Sequence, residues 1–226
     1  METQNSPKKY YDQLAASYDR DRFGNSYGQY LHQQEQAFMQ SCFSIAPADP
    51  VLSLACGTGR FMEYATHGLD IAPGMLEVAQ GKFPDKQFVL GSALDLPFKS
   101  GQFGALFTLH FLMHLSKSET SRFLSEAYRV LKPRGRLVLD FPSERRRQLV
   151  GHQQSGWHGA NAYSLAAWTE ICGDRWHIRK KRGLLFFPIH RLPVAWRAPF
   201  RPVDNLLGRS PLQEYASYLI LEMIKR

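Results

Sequence analysis

The sequence predicts an α/β chain wound around a mostly parallel sheet, and three stretches carry that expectation. Val51 to Phe61 (VLSLACGTGRF) is a short apolar run that breaks into glycines, the pattern of a buried strand turning sharply towards a helix. His67 to Asp70 is a second short strand that ends in a carboxylate and leads into a helix entered through Pro73. Gln102 to His110 is nearly continuously apolar, as a parallel strand covered on both faces must be.

The remaining elements follow in order. Pro7 to Tyr18 has a rough helical period through Tyr10, Tyr11, Leu14, Ala15 and Tyr18, and Gly24 to Gly28 separates it from a helix running through Phe38 to Cys42. Pro47, Asp49 and Pro50 end that approach and lead to the first strand, Val51, Leu52 and Leu54. After the glycines a helix is expected to open near Arg60 and to run about two turns, Phe61 to Thr66, since little chain separates Gly59 from Asp70. Gln87 to Leu90 reads as the third strand. Glu119 to Leu131 is an amphipathic helix with Phe123, Leu124, Ala127, Tyr128 and Leu131 on one face, stopped by Lys132 and Pro133. Arg136 to Phe141 is strand five, Leu165 to Cys172 a helix ending at Gly173, and Trp176 to Ile178 the start of strand six. Leu184 to Pro211 holds five of the thirteen prolines among Phe186, Phe187, Trp196 and Phe200, which argues against long regular elements and for a lid inserted before strand seven, Tyr215 to Ile224.

A strand, a glycine turn and a helix N-terminus gather backbone N–H groups and a positive dipole end, a general way to hold a nucleotide-like or anionic group. The spacing is neither G-x-G-x-x-G nor a P-loop, which needs a Lys after the second glycine. Asp70, at the tip of the next strand, can accept both hydrogen bonds of a ribose diol, and the alternative for it is a helix cap. His110 sits at the C-terminal end of strand four, where ligands of open α/β sheets bind.

Composition sets outer limits. The 226 residues are 44% hydrophobic and 21% charged, ordinary for one soluble domain. No apolar run reaches the ~20 residues of a membrane helix, and the polar opening METQNSPKKYYDQ is unlike a signal peptide, so a cytoplasmic protein is expected. Cys42, Cys56 and Cys172 suggest neither a disulfide framework nor a metal site. The net charge of +8 is uneven: Met1 to Tyr128 carries −3 and Arg129 to Arg226 carries +11. Such a basic half marks a nucleic-acid or anionic-membrane surface, or, more commonly, solvated loops with spare arginines.

With these residues in view, the chain resembles the class I S-adenosylmethionine-dependent methyltransferases. SLACGTGR is similar to their glycine motif, LDIAPGML to their acidic ribose motif, and FVLGSALDLPFKSGQF, FLMHL and EAYRVLKPRGRLVLDFP to the later motifs, in the same order from about Tyr10 to Pro142. The resemblance implies a Rossmann-like doubly wound sheet of seven strands, the last antiparallel between strands five and six. One domain, 1–226, is expected, with an N-terminal helical cap (1–45), a core of cofactor motifs (50–142) and C-terminal strands (143–226) carrying an acceptor-side lid at about 184–211. The implied cofactor is S-adenosyl-L-methionine, released as S-adenosyl-L-homocysteine. Its site is expected over Tyr18, Ser53, Ala55, Cys56, Gly57, Gly59, Asp70, Ile71, Met75, Ser92, Ala93 and Leu109. Three positions depart from the family pattern: Ser53, Ser92 and Gly104 stand where acidic residues are common.

An activated methyl group mainly needs its acceptor held close with water excluded. A small, partly apolar acceptor methylated on oxygen is expected, with His110 and then His114 as candidate general bases. Two rivals remain. An RNA methyltransferase would use the basic C-terminal part, with RRR at 145–147 and RKKR at 179–182, but the Asn/Asp-Pro-Pro-aromatic sequence of base-amino methylation is replaced by LHFLMH after strand four. A non-catalytic interaction protein on the same fold would explain the three departures.

Overall fold

The computed structural model describes residues 7–45, 47–152 and 161–226, so the first six residues of the expected cap lie outside the described residues. Seven strands form one sheet in the order β3-β2-β1-β4-β5-β7-β6: β1 Val51–Leu54, β2 His67–Asp70, β3 Gln87–Leu90, β4 Phe103–Thr108, β5 Leu131–Pro142, β6 Trp176–Leu184 and β7 Tyr218–Lys225. β7 alone runs antiparallel, between β5 and β6. The order reverses at β1, whose Leu52 sits opposite His67 on one side and Leu106 on the other. Such a reversal opens a crevice at the C-terminal ends of the central strands.

Helices cover both faces. α1 (Pro7–Leu14), α2 (Tyr18–Phe23) and α3 (Ser26–Cys42) precede the sheet; α4 (Pro73–Lys82), α5 (Lys117–Val130), α6 (Glu144–Leu149), α7 (Leu165–Cys172) and α8 (Val194–Leu207) follow. The strands sort their side chains with period two. Leu137, Leu139 and Phe141 of β5 and Leu219 and Leu221 of β7 face the layer of α5 and α7, while Val138 and Ile220 face the layer of α3. Local chemistry sets the helix ends. Ser116 and Glu119 close a capping box on α5, Asn25 accepts from Tyr27 and Gly28 at the start of α3, and Gly173 ends α7 at φ 51°.

Several expectations need correction. No α-helix follows the glycines: the crossover from β1 to β2 is so short that it holds a single 3₁₀ turn, Met62–Tyr64, after a left-handed Phe61. The helix-dipole argument therefore fails at this loop. The N-terminal helix breaks into α1 and α2 around Ser17. β5 begins at Leu131, directly behind α5, and absorbs Arg134 and Gly135 as an irregularity against β4, while β6 extends to Leu184. Gly104 abuts a connector: a Cβ there would lie 2.5 Å from that of Asp49, so the position has no room for the family's acid.

The segment 184–211 also differs from expectation, because it contains the 14-residue helix α8 with Pro199 and Pro202 inside it. Each interior proline removes a backbone bond at a cost of ~3 kcal/mol. A buried tether compensates: the Asp204 carboxylate accepts from Tyr30 Oη (3.0 Å), Gln34 Nε2 (2.9 Å) and the Phe187 N–H (2.7 Å). Reading proline as a stop omitted this anchor, which lies some 170 positions away in α3.

Candidate functional site

The loop after β1 is a run of unusual backbone. Ala55 (φ 51°), Gly57 (φ 53°) and Gly59 (φ 88°) are all left-handed, and Gly59 N–H closes a turn on Cys56 O at 3.0 Å. Asp70 ties this loop to the end of β2: Oδ2 accepts from Gly57 N–H at 2.8 Å and Oδ1 from Ala72 N–H at 2.9 Å. Each carboxylate oxygen keeps a second lone-pair direction, so the group can still accept from a ligand. Burial raises its pKa, and the bonds from Ala72 and Gly57 pull against that rise.

These residues border a largely apolar cavity of about 240 Å³ at the C-terminal ends of β1, β2 and β4. Of the predicted site residues, Tyr18, Ala55, Gly57, Asp70, Ile71, Met75, Ser92, Ala93, Leu109, His110 and His114 line it. Ser53 and Cys56 instead line a smaller neighbouring cavity of about 60 Å³, together with Tyr18, Thr58, Arg60 and His110. Gly59 lines neither cavity. Its added Cβ would lie 3.2 Å from Ala79 and 3.3 Å from Phe83, so its place is under α4. The Ser92 hydroxyl already accepts from Leu94 N–H at 3.2 Å.

His110 is gripped on every side. Its backbone is left-handed (φ 58°) and its N–H donates to Asp140 Oδ1 at 2.6 Å. Its Nε2 lies 2.5 Å from Glu35 Oε1 and its Nδ1 3.4 Å from Asp140 Oδ2. Arg60 pairs with the other Glu35 oxygen and lays its guanidinium 3.7 Å from the centre of the Phe23 ring. Burial alone would raise the Glu35 pKa, but Arg60 and His110 hold it far down, near 2. For His110, burial opposes the charge while Asp140 and Glu35 outweigh it and raise its pKa. Burial also pushes Asp140 up, His110 pulling against it, so Glu35 is the firmly anionic partner. With Nε2 against Glu35 and Nδ1 turned to Asp140, the His110 ring orients the loop after β4.

His114 is held differently. Its Nε2 meets Tyr11 Oη at 3.0 Å, joining the turn after β4 to α1 at the mouth of the cavity. α2 is stitched to the glycine loop by Thr58 Oγ1 donating to Asp19 at 2.6 Å, with Lys82 bound to both Asp19 and Thr58 O. Glu35, Arg60, Asp19, Thr58, Tyr11 and Asp140 are site residues that the sequence did not announce. A buried acid in a helix read only for its apolar period leaves no local signal.

A family model described as a methyltransferase domain matches residues 52–139, which spans the loop, Asp70 and His110. That stretch therefore carries a methyltransferase domain. Among its relatives, the demethylmenaquinone methyltransferase of Symbiobacterium thermophilum is 34% identical over 58% of this chain; the match spans 57% of that relative. The magnesium protoporphyrin IX methyltransferase of Synechocystis PCC 6803, solved with bound S-adenosylmethionine, shares the methyltransferase fold at 17% identity, with a TM-score of 0.63 over 97% of this chain and 95% of that one. A methyltransferase in complex with the Haloferax volcanii Trm112 activator is similar too, at 19% identity and a TM-score of 0.64 over 95% and 96%.

Proposed function

We propose that this methyltransferase transfers a methyl group from S-adenosyl-L-methionine to a small molecule, with Asp70, Ile71, Met75, Ser92, Ala93 and Leu109 around the adenosine part and Tyr18, Ser53, Ala55, Cys56 and Gly57 around the methionine end. The residues fit such a group: Gly57 leaves open space where a Cβ would stand, and Ile71, 47% exposed, offers an apolar face beside the Asp70 carboxylate. When bound, the sulfonium supplies a methyl group already activated for displacement. The protein has only to hold the acceptor, exclude water and take up a proton.

One observation carries the reading. The cofactor-side cavity and a larger outer chamber of about 720 Å³ share Tyr11 and Tyr18 as common walls, so an acceptor in the chamber faces the Asp70 cavity across two phenols. We assign the proton-accepting role to His114, supported by Tyr11, and a positioning role to His110. Methylation of a hydroxyl oxygen is the reaction we favour, because the His114–Tyr11 pair at this border suits removal of an O–H proton.

The basic C-terminal half gives little support to a nucleic-acid substrate. Glu222, fully buried, is faced by Arg136 (3.5 Å), Arg179 (3.4 Å) and Lys180 (3.8 Å), and the buried Arg182 donates to Asn205. Most of the RKKR run is therefore engaged within the fold. Among the described residues, no helix is long and apolar enough to cross a membrane. We read the protein as a cytoplasmic enzyme.

Calorimetric titration with S-adenosylmethionine, followed by a labelled-methyl screen over metabolite extracts, tests the proposal. Binding plus labelling of a small molecule is expected. Absence of binding would leave a non-catalytic member of the fold, and labelling confined to RNA would reassign the substrate.

A further inference from the structure

The outer chamber is not the apolar pocket that a lid of Phe and Trp residues would make. α2 brings Arg22 to it, α6 brings Arg146 and Arg147, and the turn before α8 brings Arg191. Five tyrosines stand among them: Tyr10 and Tyr11 from α1, Tyr18 from α2, Tyr27 from α3 and Tyr218 from β7. Among the described residues, four guanidiniums face one carboxylate in the lining, Asp21, which is already bound by Ser17 and Arg20. Among the described residues, no ion pair joins Arg22, Arg146 or Arg191 to a carboxylate; the ion pairs of this fold lie elsewhere. Burial and the neighbouring Arg191 lower the pKa of the half-buried Arg146, while the Asp204 carboxylate, already bound by Tyr30, Gln34 and the Phe187 N–H, pulls the other way. Arg146 and Arg191, close together and joined to no carboxylate by an ion pair, are suited to an external carboxylate or phosphate.

We infer that the acceptor is a small organic anion, with its charged group gripped by Arg146 and Arg191 and its flat apolar body laid among the tyrosines. This rests on the methyltransferase reading above and narrows its substrate class. Guanidinium forks favour carboxylate or phosphate oxygens, and phenol rings favour a planar partner of limited size. The charged group sits against Arg146 and Arg191 and the methylated atom at the Tyr11 and Tyr18 end, where Arg22 is hydrogen-bonded to Tyr18, so the arginine pair fixes which atom reaches the methyl group. Among the described residues of the segment 184–211, Pro188 and Arg191 line the chamber, so the segment supplies part of the anion site and little of the apolar wall.

The test uses a matched dye pair on the whole protein saturated with S-adenosylhomocysteine: anionic 8-anilinonaphthalene-1-sulfonate and neutral N-phenyl-1-naphthylamine. The sulfonate should bind roughly tenfold or more tighter, the scale of a lost charge-assisted contact. The double variant Arg146→Gln/Arg191→Gln should abolish that preference, and Arg146→Lys/Arg191→Lys should restore part of it. Competition by benzoate and by inorganic phosphate separates carboxylate from phosphate as the preferred group. Equal binding of both dyes to the wild-type protein, or a preference surviving in the double Gln variant, overturns the inference. So does a single-stranded RNA that displaces the sulfonate better than either small anion with steep salt dependence. S-adenosylhomocysteine affinity, measured separately, should be the same in all variants; failure of that binding in the wild type would instead count against the methyltransferase reading.

Discussion

Nε2 of His110 lies 2.5 Å from Oε1 of Glu35, joining the end of β4 to the middle of α3 across 75 positions of sequence. With Arg60 from the glycine loop, Asp140 from β5 and the Tyr218 ring 5.4 Å away on β7, it forms a buried charged cluster directly behind the cofactor-side cavities. The left-handed backbone of His110 persists because this cluster over-determines its position.

The cluster makes stability depend on pH in a defined direction. His110 has its pKa raised above 6.5, so its contribution is complete below about 6.5 and fades as pH rises through the raised value. Glu35 is held near 2, below its ordinary 4.5, so its contribution is complete above about 4.5 and is lost as pH falls towards 2. Urea unfolding at about pH 5.5 and about pH 8.5 should show the wild type losing more stability on the alkaline side than His110→Gln does. Parallel pH profiles for the two proteins would mean that folding leaves the His110 pKa unchanged.

Glu35→Gln should be costly on its own. Arg60 and His110 would be left beside a buried neutral amide, a loss on the order of 3–5 kcal/mol for breaking one side of a buried pair. A denaturant midpoint close to wild type would show that water compensates the two cations.

Asp70→Ala should weaken S-adenosylmethionine binding roughly ten- to a hundredfold, the effect of about 1.5–3 kcal/mol for charge-assisted bonds. Because Asp70 also anchors Gly57 and Ala72, calorimetry should be paired with a melting curve. Unchanged affinity in a folded variant would remove Asp70 from the site.

Ser53 is buried in β1 and lines the small cavity with Arg60 and His110. Ser53→Asp should tighten cofactor binding, since a carboxylate bonds the ammonium of a methionine moiety more strongly than a hydroxyl does. Weaker binding with an intact fold would show that Arg60 and His110 have claimed the new charge.

Asp204→Ala should release α8. Three bonds to a buried carboxylate vanish, at a cost of roughly 3 kcal/mol or more, and proteolysis should then cut first within 194–207. Wild-type protease resistance would show that packing alone holds the helix.

The sequence by itself determined the sheet and its cofactor motifs. The apolar runs of β1 and β4, the carboxylate that ends β2, the Pro73 entry to α4, the apolar stripe of α5 and the Gly173 stop of α7 are local patterns, and local patterns record burial and backbone freedom directly. The same locality placed Asp70 at the end of β2 and the glycines beside it. Only the tertiary structure decided what the charged groups do. His110 became the centre of an ion cluster because α3 delivers Glu35 and β5 delivers Asp140 to it, and no spacing near position 110 encodes either. Pro199 and Pro202 sit inside a helix because Asp204 is bound by α3, which outweighs the local preference against proline. The four arginines of the outer chamber come from positions 22, 146, 147 and 191, whose only relation is that the doubly wound topology brings their elements to one end of the sheet. Charge acts through space, so its partners are settled by the fold, whereas hydrophobic period is written along the chain.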